Sequence, residues 1–141
     1  MSSPLIASLI YVSTARSGLG LDDFLKIMAV SQRNNQRFGI TGLLAFNGLN
    51  FMQCLEGDRA ATNECLHRIE LDDRHSGVTV VNQREATRRQ FSDWHMAGQY
   101  LPAGQGLGQT DLQQALSDDA VCVATRTIFR SFFTLGGNLP R

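Results

Sequence analysis

The stretch Ile40-Thr-Gly-Leu-Leu-Ala-Phe46, Asn47-Gly48, Leu49-Asn-Phe-Met-Gln-Cys-Leu55 holds two apolar runs on either side of an Asn-Gly dipeptide. The dipeptide tolerates the two positive φ angles of a tight turn, so the stretch predicts a β-hairpin. Working outward, Leu9 to Val12 is β-branched and aromatic and precedes a Ser, Thr and Gly cluster, the pattern of a first strand and its loop. Between strand and hairpin, Leu21, Phe24, Leu25 and Met28 recur at helical spacing behind Asp22 and Asp23, predicting an amphipathic helix to about Arg37 that stops before Gly39. After the hairpin Asp58 is a natural N-cap for a second helix carrying Cys65, Leu66 and Ile69 on one side. Val78 to Val81 then reads as a fourth strand and Trp94 to Leu101 as a fifth, with an Arg-rich segment, Gln83 to Asp93, between them.

This β-α-β-β-α-β-β order predicts an α+β, ferredoxin-like sandwich whose two helices cover one face of a mostly antiparallel sheet. The other face needs a cover. Beyond a Gly-rich connector at 102–108, Thr110 to Leu116 and Val121 to Leu135 read as two C-terminal helices, and the second has a wide apolar side. The expected organisation is one sandwich unit over 1–101 and a linker with helical extension over 102–141 that packs on the sheet.

Thirteen basic and thirteen acidic residues in 141 leave no net charge, which argues against a polyanion such as nucleic acid as main partner. Twelve of the thirteen basic residues are arginines, suited to planar contacts with carboxylate or phosphate. Three cysteines without a CxxC pair, together with His67, His75 and His95 at no ligand spacing, suggest neither a disulfide framework nor a metal site. With no membrane-length apolar run and no signal-peptide start, a cytoplasmic protein is expected.

Several polar residues stand where apolar ones belong. At a hundred degrees per residue Asn35 falls in the middle of the first helix's apolar stripe, with Asn34 at its edge near Ile27. Tyr11 shares a strand face with Leu9, and Gln53 shares one with Phe51 and Leu55. Such a cluster either satisfies itself as a hydrogen-bond network or surrounds a flat heteroaromatic ligand whose edge alternates donors and acceptors. Arg68 and Asp72 are spaced to pair at i and i+4. Trp94 and Met96 alternate onto one face with His95 on the other, a pattern equally suited to plain core.

Taken in order, the motifs Leu9-Ile-Tyr-Val-Ser13, Ser31-Gln-Arg-Asn-Asn35, Gly39-Ile-Thr-Gly-Leu-Leu44, Phe51-Met-Gln-Cys-Leu-Glu-Gly57, His67-Arg-Ile69, Asp72-Asp-Arg-His75, Arg88-Arg-Gln-Phe91 and Trp94-His-Met96 resemble the BLUF domains. These are blue-light receptors that hold a flavin without a covalent bond. The resemblance covers roughly residues 8 to 98. It implies a flavin between the two helices, normally FAD, with FMN and riboflavin also compatible. It implies that Tyr11 and Gln53 form the photochemical switch: Tyr11 gives an electron and then a proton through Gln53. The turned or tautomerised Gln53 makes a new hydrogen bond to the flavin C4 carbonyl and shifts its absorption to the red. The resemblance assigns Asn34, Asn35, Arg68 and Asp72 to polar contacts with the flavin, Ile27 and Ile69 to its apolar walls, and Arg74 or His75 to the phosphate region. It further implies that the fifth strand neighbours the third, so that Trp94 and Met96 relay the change of Gln53 outward.

About forty residues follow Leu101, fewer than a catalytic domain needs, so the expected role is a sensor and not an enzyme, with output through a protein partner. Phe129, Phe132 and Phe133 on the last helix are expected to support self-assembly or partner binding as well as closing the sheet. A light-insensitive metabolite-binding module and an acylphosphatase-like hydrolase, with Arg16 and Gly18 in its first turn, are the alternatives on the same fold.

Overall fold

The computed structural model describes residues 5–92, 95–100 and 114–137, without the side chains of 133–137. The element order is β1 (Ile6–Ala15), α1 (Leu21–Phe38), β2 (Thr41–Phe46), β3 (Asn50–Gly57), α2 (Arg59–Glu70), β4 (His75–Ala86), β5 (Ala97–Tyr100) and α3 (Val123–Gly137). The strands form one sheet in the order β4-β1-β3-β2-β5, antiparallel throughout except for the β2–β5 pair. This is the ferredoxin-like arrangement with an added edge strand.

The sheet buries both faces. On one, Leu9, Leu44, Leu55, Phe24 of α1 and Cys65 of α2 share a core with an aromatic group of Phe46, Phe51 and Tyr100. The Phe46 and Phe51 ring centroids are 4.8 Å apart, and complete burial of a side chain such as Phe46 contributes about 1.5–3 kcal/mol. On the other face Ile10, Leu43, Ala45, Met52 and Cys54 meet Leu116, Val121, Phe129 and Phe132. A helical turn at 114–116 and helix α3 therefore close the back of the sheet. Because Phe129 and Phe132 are buried in that core, they do not form the exposed aromatic patch their spacing suggested. Thr110, the connector at 102–108 and Trp94 lie outside the described residues, as does the side chain of Phe133.

Local details depart from the sequence reading in instructive ways. Helix α1 begins with the Asp23 carboxylate accepting from the Gly20 N–H at 3.1 Å and ends on Gly39 in the left-handed region, as the acids and the glycine suggest. Leu25, however, is exposed, and the buried stripe runs from Phe24 to Asn35. The hairpin turn is centred one residue later than the Asn-Gly pair. Phe46 faces Phe51, the Asn47 N–H donates to the Asn50 carbonyl, and only Gly48 has positive φ, the requirement of a type II′ turn with glycine first. Asn47 instead accepts from the N–H groups of Leu49 and Asn50 through its side chain, a local bond that competes with the left-handed backbone expected of it. Strand β4 spans twelve residues where four were predicted, because β1 pairs along its whole length and takes in the polar stretches on either side. Strand β5 is conversely shorter, at four residues.

The β2–β3 pair leaves no room at Gly42, where a β-carbon would stand 1.8 Å from the backbone oxygen of Cys54. Gly42→Ala should therefore lower the free energy of unfolding by roughly 3 kcal/mol through forced displacement of β3. Urea titration followed by circular dichroism measures this, and a change under half a kilocalorie would contradict the close approach.

Candidate functional site

An open cleft of about 770 Å³, solvent-open space included, lies between α1 and α2 above β1 and β3. Its base is set by strand register. Tyr11 on β1 stands directly opposite Gln53 on β3, so the two side chains leave the sheet on the same face. The Tyr11 hydroxyl donates to Gln53 Oε1 at 2.5 Å, and Gln53 Nε2 points to the Met96 sulfur at 3.5 Å. All three residues are buried. Burial, with Cys65 and the Asp72 charge adding to it, pushes the Tyr11 hydroxyl far above its ordinary value, so the phenol keeps its proton at rest.

Helix α1 supplies one wall. Ile27 lies two turns before the adjacent Asn34 and Asn35, and with Val30 and Ser31 on the turn between them they form one stripe that lines the cleft. Asn35 is 3% exposed, and its Nδ2 donates to the His95 carbonyl at 2.8 Å. Beside it Gln32 Nε2 donates to the Met96 carbonyl at 3.1 Å. Two carboxamides of α1 thus hold the segment that enters β5.

The other wall is α2 and the turn after it, with Cys65, Arg68, Ile69, Asp72, Arg74 and His75. The expected Arg68–Asp72 pair is not formed. Helix α2 ends at Glu70, so Asp72 lies past the C-cap Leu71, off the helical surface where i and i+4 side chains meet. Asp72 instead takes Arg74 in a two-pronged bond, Nε to Oδ1 at 3.0 Å and Nη2 to Oδ2 at 2.6 Å. That guanidinium holds the Asp72 carboxyl below the usual carboxylate range. Arg68 lies over the Phe38 ring at 4.9 Å, with Glu64 at 3.6 Å, and so ties the end of α1 to α2. His75 begins β4. Its Nε2 donates to the Ile69 carbonyl at 2.6 Å, Nδ1 meets Ser13 Oγ at 2.7 Å, and its ring stands edge-on to Tyr11 and Phe51. Both ring nitrogens are thereby engaged within the protein.

Ten of the twelve residues singled out in the sequence therefore line one cleft: Tyr11, Gln53, the three on α1 and the five around α2. Met96 touches its base through Gln53, and Trp94 lies outside the described residues. The expectation that β5 neighbours β3 is corrected by the sheet order, in which β2 intervenes. Met96 reaches Gln53 nonetheless, because it sits just before β5 and on the helix-covered face with Leu44 of β2. Sequence reasoning passed over Ser31, at helical spacing between Ile27 and Asn35, and Cys65, one turn before Ile69. That same spacing was the signal that could have found them. Among the described residues no group of His, Cys, Asp or Glu is placed to hold a metal ion, and no helix is long and apolar enough to cross a membrane.

A family model described as BLUF, sensors of blue-light using FAD, matches residues 6–97. Among curated proteins the chain is similar to the photoactivated adenylate cyclase subunit beta of Euglena gracilis, 37% identical over 91 residues, which are 63% of this chain and 10% of that protein. It is also similar to the blue light- and temperature-regulated antirepressor BluF of Escherichia coli, at 29% over 87 residues, 62% of this chain and 22% of the other. The chain thus spans about a tenth of the cyclase subunit's length and under a quarter of the antirepressor's. The solved dark-state structure of BlrB, a BLUF protein, superposes with a TM-score of 0.69 at 29% identity, covering 97% of this chain and all of that one.

The Asp72–Arg74 pair gives a pH-dependent expectation. A carboxyl held low in the folded state contributes stability above its ordinary value of about 4 and loses it as pH falls through the folded value. Arg74→Gln should therefore have a smaller free energy of unfolding at neutral pH, by no more than about 1 kcal/mol for a pair of half-buried groups, and the two proteins should converge as the pH falls below the lowered value of the folded Asp72 carboxyl. Thermal melts across that range test it, and a constant difference at every pH would assign the loss to something other than the pair.

Proposed function

The chain belongs to the BLUF family of blue-light sensors that use flavin, and on that premise we propose that Tyr11 and Gln53 are its photochemical switch and Met96 its first relay. One observation carries the reading: a single buried carboxamide has its oxygen on the Tyr11 hydroxyl and its nitrogen on the Met96 sulfur. The cleft suits a flat ring system, with Ile27 and Ile69 on opposite walls and the amides of Asn35 and Gln53 at its inner end. A flavin held there supplies the blue-light absorption and, once excited, an acceptor for an electron.

With a flavin bound, Tyr11 would give up an electron to it, and its hydroxyl, acidic only after that loss, would pass its proton to Gln53 along the existing hydrogen bond; electron and proton would both return to Tyr11, leaving every group in its resting oxidation state. Gln53 can settle back with its carboxamide turned, since the group has nearly the same shape either way but exchanges donor for acceptor. In the turned arrangement its nitrogen faces the Tyr11 oxygen and its carbonyl faces Met96. A thioether has no proton to donate, so the tie to Met96 is lost. The segment of Met96 and β5 then keeps its bonds to the α1 carboxamides and its pairing with β2 but loses its tie to the switch, and Trp94 next to it in sequence is part of the proposed relay.

Asn34, Asn35, Arg68 and Asp72 serve as polar contacts to the flavin, Arg68 by leaving Phe38. Arg74 or His75 would face the phosphate groups of a bound flavin, with His75 shaping the wall through Ser13 and Ile69. FAD is the flavin we propose, and FMN and riboflavin share the ring that these residues face. We take 1–101 as the sensor and 102–141 as its extension, in the cytoplasm, with output by contact with a protein partner and a second copy of the chain.

Difference spectra before and after blue light test the reading directly. The wild-type protein with FAD should show a small red shift that reverses in darkness, and Tyr11→Phe or Gln53→Leu should keep the flavin and lose the shift. A normal shift in both variants would remove the switch from these residues. Met96→Ala should diminish the light-dependent change in hydrogen exchange of 95–100, and an unaltered spectral and structural response would take Met96 out of the relay.

A further inference from the structure

Helix α1 ends on Phe38, which is 42% exposed, and three guanidinium groups gather around it. Those of Arg37 and Arg68 stand over the ring, 5.4 and 4.9 Å from its centroid. Arg89 is fixed beside the next residue, its Nη2 donating to the Gly39 carbonyl at 2.7 Å and its Nη1 to the Glu56 carbonyl and Thr41 Oγ1 at 2.9 and 3.0 Å. Arg33, exposed and one turn before Arg37, extends the same face. Glu64 approaches Arg68 at 3.6 Å, but among the described residues Arg33, Arg37 and Arg89 form no ion pair. The partial negative charge of a helix C-terminus, about half a unit, favours cations there and offsets only a fraction of these. The end of α1 is therefore an open aromatic ring set in excess positive charge.

The complementary surface is the turn after α2. Leu71 is 72% exposed between Glu70 and Asp73, which are exposed and without an ion pair, while the Asp72 carboxylate is taken by Arg74. The two surfaces lie at different ends of the helix layer. At one, a β-carbon on Gly57 would meet both the Gly39 carbonyl and Thr62, so the end of α1 adjoins the start of α2. At the other, the Arg16 N–H donates to the Arg74 carbonyl at 2.8 Å, so the turn after α2 adjoins the loop that leads into α1. No ion pair joins the two surfaces within one chain. The thirteen basic and thirteen acidic residues cancel, so no net repulsion keeps two copies apart.

We infer that the Phe38 surface of one chain docks the Leu71 turn of a second copy, with Arg33, Arg37 and Arg89 facing Glu70 and Asp73. Leucine on phenylalanine covers the apolar area, and the surrounding charges fix the orientation. Arg68 is not required, because it leaves Phe38 when it turns to a flavin. The inference takes up the second copy proposed above, names its faces, and does not use the flavin switch.

Sedimentation of the FAD-loaded chain in the dark, at rising concentration, tests the contact at low salt and at about 1 M salt, where the screening length is about 3 Å. The wild-type chain should self-associate at low salt and come apart at high salt. Arg37→Glu and Asp73→Arg should each weaken association about ten-fold or more, and the double variant, with the two charges exchanged, should regain it. Both side chains are exposed, and thermal melts check that each variant folds as the wild type does. A wild-type chain that stays monomeric at low salt overturns the inference and leaves the Phe38 surface to an acidic segment of another protein. Single variants that associate as the wild type does, or a double variant as weak as the singles, overturn it equally. Light-minus-dark spectra of the same samples keep it apart from the switch: association following this pattern without any red shift would sink the switch alone, and a normal red shift without association would sink the contact alone.

Discussion

The structure depends on the antiparallel register of β1 on β3, which sets Tyr11 directly across from Gln53. Side chains opposite each other on one face of such a pair approach within about 5 Å, close enough for a phenol and a carboxamide to bond without help from loops. Slipping the register by one residue would send one of them to the back of the sheet, among Ile10, Cys54 and Phe129. The register is held from both sides. β2 is locked to β3 by the II′ turn at Gly48 and the close approach at Gly42, and β4 lies along the full length of β1. The rigid part of the molecule is thus the part that aims Tyr11 at Gln53.

Around that pair the polar groups are economical. Tyr11, Gln53, Asn35 and His75 are all bonded within the protein, yet each lines the cleft, so the site is preshaped and not an open hole filled with unsatisfied donors. Asn35 and Gln32 both hold backbone carbonyls of the segment leading into β5. The cleft wall and the edge strand therefore share their hydrogen bonds, and a change on one side is felt on the other. In the proposed switch, this sharing is what would carry a rearrangement of Gln53 to the sheet edge.

The two faces of the sheet divide the labour. The front carries the cleft under α1 and α2, and the back carries an apolar layer closed by α3. Gln53 lies on the front of β3, while Glu56 near the end of the same strand binds the segment that fastens α3 at the back. A single strand thereby touches both the site and the cover.

Periodicity and cap chemistry determined the elements by themselves: the strand at Tyr11, both helices with Asp58 and Gly39 at their ends, and the hairpin carrying Gln53. These are local properties, set by burial patterns of period 2 and 3.6 and by side chains bonding to nearby backbone. The misplaced polar residues Asn35 and Gln53 were equally visible, because an amide on an apolar stripe breaks the pattern. What the chain alone could not disclose depended on partners far away in sequence. Arg74, not Arg68, took Asp72 because α2 stopped one residue before the cap. β2 came between β3 and β5, and Met96 still reached Gln53 across it. Phe129 and Phe132 were drawn into the core because α3 lies over the back of the sheet, and Gln99 is buried with no hydrogen-bond partner among the described residues. Local spacing determines which face a side chain takes, but only the folded chain decides what stands opposite it.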